Sequence, residues 1–179
     1  SIRTGIRSYL AVSGGFDSQR VLTSQSYYQG ITQKSKVEKG DILQFNHNFR
    51  RPIENRSAIK LDLQHFENDI LEVYAGPEFD SLSKEMKTRL LRKNFTISAQ
   101  SNRMAIKFDK KMCLSAVEII TSSVQPGTVQ LTPSGDLIVL MRDCQITGGY
   151  GRIFQLTDKS INQLAQKPAG TVISFKLLN

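Results

Sequence analysis

Thr128-Val129-Gln130-Leu131 and Leu137-Ile138-Val139-Leu140-Met141, joined through Thr132 and Pro133-Ser134-Gly135-Asp136, form the stretch that decides the fold. Two apolar runs flank a Pro-Ser-Gly-Asp turn, which is the composition of a β-hairpin. Directly behind the second run comes Asp143-Cys144-Gln145-Ile146-Thr147-Gly148-Gly149-Tyr150-Gly151. A strand that stops at Thr-Gly-Gly-Tyr brings bare backbone close to a neighbour, because glycine has no side chain to hold one away. Taken by itself, Gly-Gly reads first as a tight turn with positive φ. Local sequence leaves both readings open.

Outward from the hairpin, short β-branched and aromatic runs recur between turn residues. They are Ile6–Val12, Ile42–Phe45, Ile70–Ala75, Phe95–Ala99, Met104–Phe108, Val117–Thr121, Ile153–Leu156 and Thr171–Leu177. Their number and short spacing predict a mainly β chain, a closed or partly open barrel or a sandwich. Two short helices are expected to cover its openings. In Asp80–Lys93, Leu82, Met86 and Leu90 share one face, with Asp80 or Ser81 as the cap; in Asp158–Lys167, Ile161, Leu164 and Ala165 form the apolar stripe before Pro168. Gln29–Lys39 reads as a polar surface loop.

Composition narrows the class. With 39% apolar and 22% charged residues the chain reads as soluble and globular rather than disordered. No apolar run approaches the roughly 20 residues of a membrane span, and no secretory signal precedes Ile6–Val12, so the expected location is the cytoplasm. Cys113 and Cys144 make neither a disulfide framework nor a metal cluster, and His47 and His65 have no metal-ligand spacing around them. Between Lys84 and Lys111, nine basic residues stand against Glu85 and Asp109, a net +7 of the chain's +8. That window reads as a solvated basic face, with an anionic substrate or acidic partner as the next reading. Nucleic acid comes last, since no zinc-finger spacing or aromatic RNA-binding signature accompanies the charge.

Standard catalytic signatures are absent. Ser57-Ala58-Ile59-Lys60 and Ser81-Leu82-Ser83-Lys84 fit a loose Ser-x-x-Lys pattern without its companion motifs. There is no phosphate-binding loop, nucleophile elbow or dinucleotide fingerprint.

Six blocks in order carry a family resemblance: Gly5–Asp17, Lys39–Leu43, Ala75-Gly76-Pro77-Glu78-Phe79, Ser101-Asn102-Arg103-Met104, Ser122–Leu131 and Leu140–Tyr150. Together they resemble the allophanate hydrolase subunit 2 family, also called the KipA family or the family of the 5-oxoprolinase C subunit. Its domain recurs in the carboxyltransferase unit of urea carboxylase. The resemblance departs at Asn102, Ala105, Ile106 and Ile146, where the usual blocks carry a carboxylate, a glycine, an aromatic and a threonine. It implies a cyclophilin-like β-barrel fold, with residues 1–75 as the remainder of an N-terminal subdomain and residues 76–179 as a barrel subdomain. The chain begins inside the family pattern, so an uncovered edge beside Ile6–Val12 and a homodimer are expected.

The resemblance also implies an activity. This would be a subunit of an ATP-dependent amide or lactam hydrolase, working beside a protein like allophanate hydrolase subunit 1 or the 5-oxoprolinase B subunit. ATP would act in the assembled complex. The alternatives are a biotin-dependent carboxyltransferase module, its biotin carried by another domain, and a non-enzymatic regulatory subunit. Amide and ureido substrates with carboxylates call for a cation, amide groups and backbone N–H groups aimed at a developing oxyanion. Arg103 is the expected carboxylate clamp and Asp143 the acid, base or orienting carboxylate. Asn102, Gln130, Gln145 and Thr147 would bind the substrate through amide and hydroxyl groups. Gly148 and Gly149 would present bare backbone to it, Tyr150 would stack on it, and Glu78 would complete the set. The other reading of Arg103 is a surface charge, and of Asp143 a turn cap.

Overall fold

The computed structural model of the chain describes residues 5–27, 30–32, 36–46, 64–109, 111–112 and 118–178. Expectations that fall on His47, Cys113 and Ser57–Lys60 lie outside these residues. The described chain divides into two compact units, residues 8–59 and residues 1–7 with 60–179.

The hairpin is the seed of the larger unit. Strands β5 (Thr128–Leu131) and β6 (Leu137–Leu140) pair antiparallel with Leu131 opposite Leu137. Thr132 N–H donates to Asp136 O at 2.9 Å and Gly135 takes φ +82°, which glycine adopts without a Cβ penalty. The other strands are β1 (Ile70–Ala75), β2 (Phe95–Thr96), β3 (Ala105–Lys107), β4 (Glu118–Ser123), β7 (Thr147–Leu156) and β8 (Val172–Leu177). They run in the order β2-β8-β1-β7-β5-β6-β3, with β4 on the outer half of β7. Strands β1 and β8 pair parallel, and the other ladders among the described residues are antiparallel.

The two ends of this order meet. Ile97 bridges Phe108, Ser98 N–H donates to Lys107 O at 2.9 Å, and Asp109 N–H donates to Thr96 O at 3.0 Å. The sheet therefore curls until the segments carrying its edge strands β2 and β3 hydrogen-bond to each other, the arrangement by which a barrel removes its edges. Its interior is apolar and aromatic: Phe154 packs on Phe79 and Phe175, and Phe175 on Phe95 and Phe108, with ring centroids 5.3–6.2 Å apart.

Helices cover the barrel as expected, with shifted boundaries. The expected Asp80–Lys93 helix is a short turn, Phe79–Ser81, followed by α2 (Lys84–Arg92); α1 is the brief Gln64–Glu67. Leu82 is extended between the two pieces, and Ser83 rather than Asp80 or Ser81 is the cap, its Oγ accepting from Met86 N–H at 3.2 Å. Helix α3 (Asp158–Ala165) is capped by Thr157, whose Oγ1 accepts from Ser160 N–H at 3.2 Å, and buries Ile161 and Leu164. No helix among the described residues is long and apolar enough to cross a membrane.

Two expectations fail. Ile6–Val12 is not a strand: the N–H groups of Ile6 and Arg7 go to the side-chain Oε1 of Gln166 at 3.0 and 2.9 Å, not to a ladder. Ile42–Phe45 reaches only an isolated bridge between Phe45 and Phe16 in the smaller unit. The Gly-Gly turn is also corrected. Gly148 and Gly149 lie inside β7, which runs unbroken for ten residues, and neither has positive φ.

Candidate functional site

The end of β1 and the middle of β7 build a polar cleft. Gly76 N–H donates to Ile153 O at 2.9 Å and Glu78 N–H donates to Arg152 O at 3.2 Å, so the turn after β1 is laced to β7. A Cβ on Gly76 would stand 2.2 Å from Arg152 O and 2.9 Å from Ile153 C, all unyielding backbone. Only glycine allows this approach. Gly76→Ala is expected to lower unfolding stability by about 1–3 kcal/mol, the usual cost of overpacking, as measured by urea denaturation; an unchanged midpoint would contradict the close approach.

The approach puts Glu78 against Arg152. Arg152 donates from Nε to Oε2 at 2.9 Å and from Nη2 to Oε1 at 2.7 Å, while its backbone N–H donates to Oε2 at 2.8 Å. Both side chains are largely buried, Arg152 at 18% exposure and Glu78 at 15%. A bidentate, partly dry pair of this kind is among the stronger side-chain contacts. The Arg152 hydrogen bonds hold the Glu78 carboxyl below the usual carboxylate range, and Glu78 in turn raises Arg152. Arg152 Nη1 reaches Ser123 O at 3.2 Å, tying the pair to the end of β4.

Beside this pair lies a cavity of about 310 Å³, walled by Gly76, Pro77, Val124 and Phe154 and edged by Ser123, Gln125, Thr128 and Gln155. The last two are engaged with each other: Thr128 Oγ1 donates to Gln155 Oε1 at 3.0 Å, and Gln155 Nε2 donates to Pro126 O at 2.9 Å. Behind the wall, Gln130 is 1% exposed, opposite Arg152 in the β5–β7 register. Its Nε2 donates to Tyr150 O at 3.4 Å, and a Cβ on Gly148 would sit 2.8 Å from that nitrogen. The close-approach reading of the glycines thus describes β7, with a buried amide as the neighbour.

The remaining residues singled out in the sequence stand elsewhere. Arg103 Nε and Asp143 Oδ2 form an ion pair at 2.9 Å with both side chains about half exposed, and Asp143 N–H donates to Arg103 O at 3.2 Å. Asn102 closes the turn before β3, its Oδ1 accepting from Met104 N–H at 2.8 Å and Ala105 N–H at 3.1 Å. Gln145, Thr147 and Tyr150 are exposed. Of the expected set, then, the structure brings together Glu78, Gln130 and Gly148 around β7, and separately Arg103, Asp143 and Asn102 on the loops flanking β3. Sequence reasoning missed Arg152, Ser123 and Gln125. Arg152 carried a signal, since it alternates with Phe154 in a strand as a charge within an apolar run, directly after the glycines.

Sequence comparison agrees with the barrel. Residues 1–177 match the carboxyltransferase domain, subdomain A and B. The chain belongs to this family. This carboxyltransferase domain is 31% identical to the 5-oxoprolinase C subunit of Escherichia coli (strain K12), over 96% of its own length and 56% of that protein. It is 28% identical to the 5-oxoprolinase C subunit of Haemophilus influenzae, over 99% and 58%. It therefore spans a little over half the length of these curated relatives. The crystal structure of TTHA0988 superposes with a TM-score of 0.73 at 26% identity, covering 97% of this domain and 34% of that chain. The Kluyveromyces lactis urea carboxylase shares the fold, with a TM-score of 0.70 at 18% identity, covering 99% and 18%.

Proposed function

We propose that this carboxyltransferase domain is part of a subunit of an ATP-dependent amide or lactam hydrolase of the 5-oxoprolinase type, acting in the cytoplasm with a partner subunit. The observation that carries the reading is its 31% identity to a 5-oxoprolinase C subunit across 96% of the chain. ATP acts in the assembled complex. The cavity beside Glu78 and Arg152 contributes the substrate pocket. The Arg103–Asp143 pair, open to solvent on its own loops, supplies a cation and a carboxylate at the assembled site.

The expected result is ATP hydrolysis that depends on 5-oxoproline and appears only when partner subunits are added. A complete assembly with no 5-oxoproline-dependent turnover would sink the proposal. The family match favours a second reading, a carboxyltransferase that receives a carboxyl group from biotin on another domain. A biotin ureido ring presents one carbonyl and two N–H groups, which the amide of Gln125 and the hydroxyl of Ser123 can meet. Decarboxylation of carboxybiotin by the assembly, without ATP hydrolysis driven by 5-oxoproline, would select that reading.

A further inference from the structure

We infer that a second copy of this chain packs across the open side of β4, with Ile120 at the two-fold axis. Strand β4 hydrogen-bonds to β7 along one side, and no described strand lies along the other. Over residues 147–150, β7 has β4 as its one strand partner among the described residues, since the β5 ladder stops at Gly151. A two-stranded ribbon is marginal by itself in water and gains from cover. Ile6–Val12, where an uncovered edge was expected, is not a strand; among the described residues the open edge of the larger unit belongs to β4.

The ribbon is shaped to present one side chain. Glu118 stands opposite Tyr150 and Ser122 opposite Gly148, so four steps along β4 match two along β7. The extra residues form a bulge, and Gly149 makes room for it: a Cβ there would stand 3.2 Å from Ile119 O and 3.3 Å from Ile120 O. Bulges re-aim side chains, and this one leaves Ile120 fully exposed. Ile146, whose carbonyl accepts from Val124 N–H at 2.9 Å, is 80% exposed beside it, and Tyr150 is 43% exposed. Arg152 Nη1 takes Ser123 O, which closes β4 at that end and leaves Glu118–Ser122 open, with Ile120 at the midpoint. Because the bulge interrupts the ladder, the contact rests on Ile120 packing rather than on an unbroken row of hydrogen bonds.

Charge selects the occupant. The chain carries a net +8, so two copies repel except where the cations are neutralised. The arginines on β7 and on the loops leading to it are all paired: Arg103 with Asp143 at 2.9 Å, Arg142 with Asp158 at 3.5 Å and Arg152 with Glu78 at 2.7 Å. Lys84, Arg89 and Arg92 on α2 have no carboxylate partner among the described residues, so an acidic macromolecule is drawn to α2 and not to β4. A two-fold contact must be complementary to itself. Strand β4, Glu118-Ile119-Ile120-Thr121-Ser122-Ser123, holds neither Lys nor Pro, the residues that blunt exposed edges. Antiparallel packing about Ile120 sets its single charge, Glu118, against a serine of the other copy and not against itself.

Sedimentation equilibrium over a concentration series tests the contact. We expect a monomer–dimer equilibrium with a Kd of about 10–100 µM, as suits a small interface. High salt should change it by less than about 3-fold, because no ion pair forms across the axis. Ile120→Lys should weaken the dimer at least about 10-fold, and Ile120→Leu by less than about 3-fold. Both changes fall on a fully exposed side chain and leave folding intact. In a chain carrying Cys113→Ser and Cys144→Ser, Ile120→Cys should give a disulfide-linked dimer on mild oxidation, and Thr88→Cys on α2 should not. A protein monomeric throughout, a dimer indifferent to Ile120→Lys, or equal cross-linking from both positions would overturn the inference. A dimer that dissolves in salt overturns it too and moves the contact to a charged face. A partner subunit that binds the monomer, and fails to bind Ile120→Lys, assigns β4 to that subunit and removes the second copy. None of these outcomes bears on 5-oxoproline-dependent ATP hydrolysis, which is measured separately.

Discussion

Phe154→Ala is expected to lower the stability of the larger unit by about 3–5 kcal/mol, the cost of truncating a buried aromatic. Phe154 is 0% exposed, and its ring packs 5.3 Å from Phe79 and 5.5 Å from Phe175 between centroids. It sits on β7, the strand that pairs with β1 on one side and β5 on the other, with partners Ala75 and Val129. The residue therefore fills the barrel centre and also floors the cavity beside Arg152. Its neighbours belong to separate elements with little freedom to collapse, so a cavity term adds to the lost transfer energy. Urea denaturation measures the effect as a shift in midpoint at unchanged slope. A loss below about 1 kcal/mol would mean the ring is not a core residue.

The parts of the fold visible in sequence were those with local causes. Pro133-Ser134-Gly135-Asp136 announced its turn because the turn is built from its own residues. Ile70–Ala75 was visible as a β-branched and aromatic run, and the two covering helices were visible by the spacing of their apolar residues. Barrel closure was not, because it needs the parallel register of β1 with β8, about a hundred residues away in the chain, before the bridge of Ile97 with Phe108 can join the segments that carry the two edge strands. The glycine block shows the same limit. Whether Gly148 and Gly149 turn or extend was decided by β4, which pairs Ser122 with Gly148 and holds them in a strand. Ile6–Val12 alternates like a strand, yet a glutamine side chain 159 residues from Arg7 takes its first amides. At the site, Glu78 was visible within a family block, whereas its partner Arg152 lies 74 residues on and is brought there by the β1–β7 register. Residue chemistry was legible; the juxtaposition that neutralises the arginine was not.

That neutralisation makes Glu78→Ala the variant with the broadest consequences. Removing one partner of a buried ion pair strands the other, which typically costs about 3–5 kcal/mol. Arg152 retains an edge to solvent and the bond to Ser123 O, so the lower end applies, about 3 kcal/mol. The change also removes the acceptor of the Arg152 backbone N–H and so loosens the turn that Gly76 fits against β7. The same pair fixes how stability depends on pH. Arg152 holds the Glu78 carboxyl below the usual carboxylate range. Its contribution is therefore present above the range in which an unfolded glutamate titrates, and is lost as pH falls through the lower folded value. Wild-type protein should lose stability progressively below about pH 5, and Glu78→Ala should show a flatter acid limb from a lower plateau. Denaturant midpoints measured for both proteins from neutral pH downward compare the two limbs. Parallel curves would mean that Glu78 is not the group linking this site to acid stability.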